Sequence, residues 1–137
     1  MKEQITVETF INASVDKVWK YWNGPEHITK WCNASDDWHA PSATNDLRVG
    51  GKFTTRMESK DGSQGFDFGG EYTVVAEHEN IEYVMDDGRK VKIRFAEQDG
   101  GTRITESFDP EDINPADMQK QGWQAILDNF KKYVEVN

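Results

Sequence analysis

Short segments between Val49 and Phe108 alternate apolar and polar residues, and this alternation constrains the fold more than any other feature. Hairpin turn sequences separate the segments: KDGS at 60–63, DDGR at 86–89 and QDGG at 98–101. Because successive side chains of a strand point to opposite faces of its sheet, each segment has one apolar face. The pattern predicts an antiparallel meander of about six strands, with one buried face and one face exposed to water.

Residues 4–11 alternate in the same way and predict a first strand ahead of the meander. Ser14 can cap a helix, because its hydroxyl can accept a hydrogen bond from the first helical turn. Apolar residues then recur at helical spacing until NGP at 23–25, which ends this helix and places Pro25 in the first turn of a second one. Residues 32–46 show no period and predict a long loop.

The C-terminal segment predicts a long amphipathic helix. Asn114 and Pro115 suit the N-cap and first helical positions, and a stripe of apolar residues follows. The stripe consists of Met118, Trp123, Ile126, Leu127, Phe130, Tyr133 and Val134. A single α+β domain over residues 1–137 would bury all these apolar faces, if a curved antiparallel sheet of about seven strands wraps around this helix. Two short helices follow strand 1.

The charge and cysteine content exclude several classes of protein. The formal net charge of -9 disfavours a nucleic-acid or anionic-membrane surface, because both require clustered Lys and Arg. Cys32 is the one cysteine, so the chain forms no internal disulfide. No apolar run approaches the roughly 20 residues of a membrane-spanning helix. We therefore expect a cytoplasmic protein that binds neither nucleic acid nor membrane.

Five segments resemble one known family: VWKYWNGPEHITKW (18–31), DLRVGGKF (46–53), GGEYTVV (69–75), GGTRITESF (100–108) and GWQAILDNFKKYVE (122–135). In order and spacing they are similar to the family named after the activator of the heat-shock protein 90 ATPase. That family belongs to the START-like, or SRPBCC, superfamily. The resemblance implies a helix-grip fold with an apolar cavity between the sheet and the last helix.

We expect twelve residues to line this cavity, because they fall on the predicted inner faces or in the segment that crosses its open side. They are Trp31, Trp38, Phe53, Met57, Phe68, Tyr72, Tyr83, Met85, Phe95, Glu106, Trp123 and Leu127. Glu106 has two interpretations. Strand alternation turns it inward with Ile104 and Phe108, where an ionisable group would mark a site. A bulge or strand end would instead bring it to solvent.

The segment WCNASDDWHAP, residues 31–41, also has two interpretations. Trp38 can plug the cavity mouth and form one wall of it, buried although its loop is irregular. Asp37 and His39 can instead form a catalytic pair, or hydrogen-bond to each other or to Arg48. A Cys32–His39 nucleophile pair is conceivable, although a small buried residue is the simpler interpretation of Cys32. The spacing of His27, Cys32 and His39 disfavours a zinc site.

Three classes of function stay open. The first is a non-enzymatic protein that binds a small, largely apolar molecule and needs no cofactor. The second, a co-chaperone that activates a heat-shock protein 90 ATPase in a stress response, would use its outer surface. The third is an enzyme that acts on a hydrophobic or polyketide-like substrate, with Glu106, His39 and Asp37 as acid–base groups. The wider superfamily includes all these kinds of protein, so the fold alone does not decide between them.

Overall fold

The computed structural model describes residues 3–137, in which a seven-stranded antiparallel sheet curls into a half-barrel around a long C-terminal helix. The strand order is β1-β7-β6-β5-β4-β3-β2. The predicted helix-grip α+β fold is therefore confirmed, and the first two residues of the predicted domain lie outside the described residues. The elements are β1 (Ile5–Ile11), α1 (Val15–Asn23), α2 (Pro25–Trp31), β2 (Trp38–Asn45), β3 (Lys52–Ser59), β4 (Gly65–Ala76), β5 (Asn80–Met85), β6 (Lys90–Gln98), β7 (Gly101–Phe108) and α3 (Ala116–Val136).

The two short helices begin and end at the residues that the sequence indicates. The Ser14 hydroxyl accepts a hydrogen bond from the Lys17 amide at 3.3 Å, which caps α1. Gly24 ends α1 and precedes Pro25, the first residue of α2. The Trp31 indole N–H donates to the Tyr21 carbonyl at 3.0 Å and ties the end of α2 to α1.

The prediction of a long loop over residues 32–46 is wrong, because residues 38–45 form strand β2. This strand lies at the edge of the sheet and pairs only with β3. Its register shifts between His39 and Ser42, around Pro41, which lacks an amide N–H. An edge strand interrupted by a bulge loses the two-residue alternation by which a strand is recognised in a sequence.

A second irregularity interrupts the pairing of β4 with β5. The register with β5 shifts between Tyr72 and Val74, so the side chains beyond it exchange faces. Consequently Val75 packs against the core, rather than Val74, which unbroken alternation from Tyr72 would turn inward. Before the bulge, a side chain at Gly70 would collide with the Val84 carbonyl oxygen, because the two backbones approach closely there.

Helix α3 starts one residue later than predicted, with Pro115 at the N-cap position. The buried side chain of Gln119 fixes the preceding loop. Its amide group accepts from the Glu111 N–H at 2.9 Å and donates to the Asn114 carbonyl at 2.8 Å. Further along, Leu127, Phe130 and Val134 are fully buried in the core. In the described part of the chain, no helix combines the length and apolarity required to cross a membrane.

Candidate functional site

A pocket of about 520 Å³ lies between the N-terminal half of α3 and the inner face of the sheet. The helix contributes Met118, Gln119, Gly122, Trp123 and Ile126. Strands β3 to β7 form the opposite wall, and residues at the ends of α1, α2 and β2 close one side. The aromatic lining residues are Trp22, Trp31, Phe53, Phe66, Phe68, Tyr72, Tyr83 and Trp123.

Nine of the twelve predicted cavity residues line this pocket together: Trp31, Phe53, Met57, Phe68, Tyr72, Tyr83, Met85, Glu106 and Trp123. Several of these rings contact one another. The Phe53 ring centroid lies 4.7 Å from that of Tyr83 and 5.8 Å from that of Phe68. Alternation along β3 to β7 therefore identified most of the wall correctly.

Trp38 does not line the pocket, so its prediction as a plug that forms one wall of the cavity is wrong. It is a half-buried residue at the start of β2, opposite Ser59 of β3. Its ring centroid is 6.0 Å from that of Phe66, and with Asp36 and Asp37 it borders a separate surface depression. The edge position of β2 explains the difference, because within the described residues the sheet continues on only one side of this strand.

Phe95 and Leu127 also lie outside the pocket wall, although both are buried on the predicted faces. The Phe95 ring packs edge-on against Trp19, with centroids 5.2 Å apart, and Leu127 lies in the closed part of the core. Alternation determines the face on which a side chain lies, but not its position along the axis of the half-barrel. These two residues belong to the filled end of the interior.

Glu106 is turned inward, which decides between its two interpretations. Its cross-strand neighbours are Val7 on β1 and Ile93 on β6, both buried and apolar. The residue is 6% exposed, and no group in residues 3–137 forms a hydrogen bond or ion pair with its carboxyl group. Burial in these surroundings raises the pKa of Glu106 to about 8, because the charged form loses its hydration.

Two further ionisable groups share the deep part of the pocket with Glu106. Burial raises the pKa of the Cys32 thiol to about 12, and the Glu106 charge adds to this effect. The pKa of Tyr83 is raised well above its ordinary value, again mainly by burial. The Cys32 Sγ lies 3.8 Å from the Met57 Sδ. At neutral pH these groups are therefore uncharged, and the thiol is a poor nucleophile.

Asn45 and Asn23 also line the pocket, and the sequence patterns did not identify them. The Tyr72 hydroxyl donates to Asn45 Oδ1 at 2.6 Å, and Asn45 Nδ2 donates to the Asn23 carbonyl at 2.8 Å. These bonds connect β4, the end of β2 and the end of α1. Asn45 lies in the segment interpreted as a loop, so nothing in its local sequence indicated an inward orientation.

Gly122 leaves open space in the pocket roof. A Cβ atom added there would have no heavy atom within 4 Å outside the local helix, so the glycine is not required for close helix packing. One residue further on, the Trp123 ring stacks on Phe108 with centroids 3.8 Å apart.

The pocket mouth combines exposed apolar and acidic side chains. Phe66 and Met118 line the pocket although half or more of each is exposed to solvent. Asp86 and Asp87 lie on the turn after β5, and Asp87 forms a 2.8 Å ion pair with Arg89. An apolar surface rimmed by polar groups is typical of a binding site.

The catalytic pairs considered for residues 31–41 do not form. His39 is exposed on β2 and lies 3.9 Å from Glu58, not beside Asp37 or Cys32. Arg48 forms its ion pair with Asp46 at 2.9 Å. Within residues 3–137, no three His, Cys, Asp or Glu side chains are grouped closely enough to hold a metal ion.

An antiparallel half-barrel that encloses a long helix, with a pocket beneath it, defines the helix-grip class of α+β proteins. Residues 12–135 match the family described as Activator of Hsp90 ATPase homolog 1-like protein. The chain belongs to this family, as the sequence resemblance predicted. Comparison with functionally curated proteins gave no match.

Two solved structures are similar in both sequence and fold. The AHSA1-like protein from Aeromonas hydrophila is 47% identical, with a TM-score of 0.91 over 97% of this chain and 92% of that one. Chr148 from Cytophaga hutchinsonii is 57% identical, with a TM-score of 0.85 over 98% and 93% of the two chains. NE0264 from Nitrosomonas europaea shares the fold at 19% identity, with a TM-score of 0.83 over 98% of this chain and 95% of that one.

Proposed function

We propose that this protein binds a small, largely apolar molecule in the pocket beneath α3, without catalysing its conversion. The supporting observation is the pocket itself, with eight aromatic residues in its lining and a volume of about 520 Å³. Small-molecule sites typically enclose about 300–1,000 Å³ and are mostly apolar, with a few polar groups that orient the ligand. A cytoplasmic location, expected from the sequence, is part of the same proposal.

The enclosed aromatic surface favours binding over the two alternatives. An enzyme requires acid–base groups within hydrogen-bond reach of each other or of the reacting atoms. Here Glu106, Cys32 and Tyr83 are uncharged at neutral pH, and no hydrogen bond within residues 3–137 joins them. A co-chaperone role has the family description as its support, and it would not require a pocket.

Gly122 offers a direct test, because a larger side chain can enter the pocket there without displacing the backbone. The variant Gly122→Leu should retain the fold and lose affinity for the neutral apolar dye Nile red by at least about tenfold, since the new side chain occupies the dye volume. Gly122→Ala is the matched control, because it adds only one methyl group. Fluorescence titration of the two variants and the wild type gives the three dissociation constants.

Equal dye affinity for the leucine variant, with an unchanged circular dichroism spectrum, would contradict binding in this pocket. Native mass spectrometry of the purified wild-type protein provides an independent measurement. A retained small molecule that is absent from Gly122→Leu would identify the natural ligand and its site together.

A further inference from the structure

The carboxyl group of Glu106 has no hydrogen-bond or ion-pair partner among the residues that the structure describes. A bound ligand can supply this partner. The side chain is 6% exposed, lines the pocket, and is flanked across the sheet by Val7 and Ile93. Burial removes most of the hydration of this carboxyl, so a ligand group that pairs with it in the pocket is stabilised there.

The pocket lining carries more acidic than basic side chains. Besides Glu106, which is protonated at neutral pH, its acidic residues are Asp67, Asp86, Asp87 and Glu111, whereas Arg89 is the one basic residue among the described lining residues. The Arg89 guanidinium pairs with Asp87 at 2.8 Å, and Arg56, outside the lining, pairs with Asp67 at 3.4 Å. Clefts lined by one sign of charge concentrate ligands of the opposite sign and repel ligands of the same sign. The field at the entrance therefore favours cations and opposes carboxylates or phosphates.

Aromatic rings of the lining add a second attraction for a cation. Phe53, Tyr72 and Tyr83 form a contiguous group, with ring centroids between 4.7 and 6.2 Å apart. Glu106 lines the same pocket as these three rings. The face of an aromatic ring attracts ammonium groups, most strongly where water is excluded.

We propose that the pocket selects an apolar molecule that carries one amino group, whose ammonium forms an ion pair with the Glu106 carboxylate. This inference rests on the proposed binding function and specifies the chemical class of its ligand. The apolar part of the molecule occupies the aromatic pocket, and the ammonium enters towards β7. A neutral apolar molecule of the same shape binds more weakly, because it leaves the carboxyl without a partner.

The pairing couples ligand binding to the release of a proton. Without ligand, burial holds the pKa of Glu106 at about 8, so the group is protonated at neutral pH. Its ionisable neighbours are Cys32, at the end of α2, and Tyr83 on β5, and both are neutral there. The facing residues of β1 and β6 and the lining residues of α3 carry no ionisable side chain. An ammonium ligand must therefore displace the Glu106 proton to solvent.

Three probes of matched shape test the inference on the full-length protein: naphthylethylamine, naphthylethanol and naphthylpropionate. At about pH 8.5, where Glu106 is ionised and the amine still carries its proton, we expect the amine to bind at least about tenfold tighter than the alcohol. The propionate should bind more weakly than the alcohol. Below about pH 8, amine affinity should fall by about tenfold per pH unit, while alcohol affinity stays constant.

The variant Glu106→Gln should reduce the preference for the amine over the alcohol to below about threefold, because the amide cannot form an ion pair. Glu97→Gln is the matched control, since it removes one exposed charge from β6, outside the pocket lining. This control should retain the preference. Titration calorimetry of the wild type at about pH 7, in buffers of different ionisation enthalpy, should give nearly one proton released per amine bound.

The outcomes separate the inference from the function on which it rests. If the alcohol binds as tightly as the amine in the wild type, or if Glu106→Gln keeps the preference, the inference is wrong while apolar binding stands. If neither Nile red nor any of the three probes binds, both proposals are wrong. A tenfold preference that disappears in Glu106→Gln and persists in Glu97→Gln supports the inference.

Discussion

The two halves of helix α3 continue one apolar stripe in the sequence but have different surroundings in the structure. In the C-terminal half, Phe130 packs against the rings of Trp22 and Trp31, with centroids 4.9 and 4.8 Å away. In the N-terminal half, Gly122 and Trp123 form the roof of the pocket. Residues from α1 and α2 fill the space beneath the C-terminal half, whereas no element within residues 3–137 fills the space beneath the N-terminal half.

This difference shows that amphipathic periodicity predicts a buried face without predicting how closely that face is packed. Leu127, Phe130 and Val134 are fully buried, whereas Met118 at the other end is more than half exposed. The C-terminal half contributes to the free energy of folding through close contacts. The N-terminal half leaves a volume in which a ligand can form the missing contacts.

The largest effect should follow removal of the Phe130 side chain. Phe130→Ala should lower the free energy of unfolding by about 3–5 kcal/mol, because it opens a cavity among packed aromatic rings. Met118→Ala in the N-terminal half should change it by less than about 0.5 kcal/mol, since this side chain is exposed. Urea denaturation of both variants measures the contrast, and similar losses for the two would refute the distinction between the halves.

The pH dependence of stability should show that the Glu106 carboxyl group is buried beneath the N-terminal half of α3. In the unfolded chain Glu106 ionises near pH 4.5, whereas burial raises its pKa to about 8 in the folded protein. The folded protein therefore binds the Glu106 proton more tightly than the unfolded chain does. This contribution to stability is fully present at a pH below the pKa of the unfolded chain, and it is lost as the pH rises through the pKa of the folded protein. Wild-type stability should therefore fall relative to Glu106→Gln by up to about 4 kcal/mol between these limits.

Urea midpoints of the wild type and Glu106→Gln at about pH 5, 7 and 9 test this dependence. The difference between the two proteins should be smallest at the lowest pH and largest at the highest. A difference that does not change with pH would mean that the Glu106 carboxyl is solvated in the folded protein.

Trp38 should behave as a residue outside both regions. Trp38→Ala should lower the free energy of unfolding by about 1–2 kcal/mol, less than for a core tryptophan, because the indole is only half-buried at the edge of the sheet. Its affinity for Nile red should equal that of the wild type, since Trp38 does not line the pocket. A clear loss of dye affinity would show that β2 closes over the pocket in solution.

The smallest effect on stability should come from Gly122, in the part of α3 that forms the roof of the pocket. Gly122→Ala should raise the free energy of unfolding by about 0.5–1 kcal/mol, because alanine loses less conformational entropy in a helix and finds open space here. A thermal unfolding midpoint a few degrees higher would agree with this expectation. Destabilisation by the alanine would indicate that the N-terminal half packs as closely as the C-terminal half.

Much of the fold could be predicted because its signals are local. Ser14, Gly24 and Pro25 determine where the short helices begin and end through backbone hydrogen bonds and dihedral preferences. Strand β2 could not be predicted, since an edge strand with a bulge at His39–Ser42 has no regular alternation. The exchange of faces from Val74 to Val75 escaped prediction for the same reason.

The sequence predicted which residues face the interior better than it predicted which of them lie at the pocket. Phe53, Tyr72 and Tyr83 were identified from alternation, because each lies on the inner face of a regular strand. Phe95 lies on the same face but packs against Trp19, in the filled end of the interior. Asn45 lines the pocket from an irregular edge strand, where no period signals its orientation.

The sequence by itself determined the order of elements, the inward face of each regular strand and the helical stripe, because these depend on backbone geometry and spacing along the chain. Only the tertiary structure decided that the interior is filled beneath Phe130 and open beneath Gly122, and that Glu106 has no partner among the described residues. These features depend on distances between elements remote in the chain. Such distances follow from the curvature of the sheet and the volume of all the side chains packed within it.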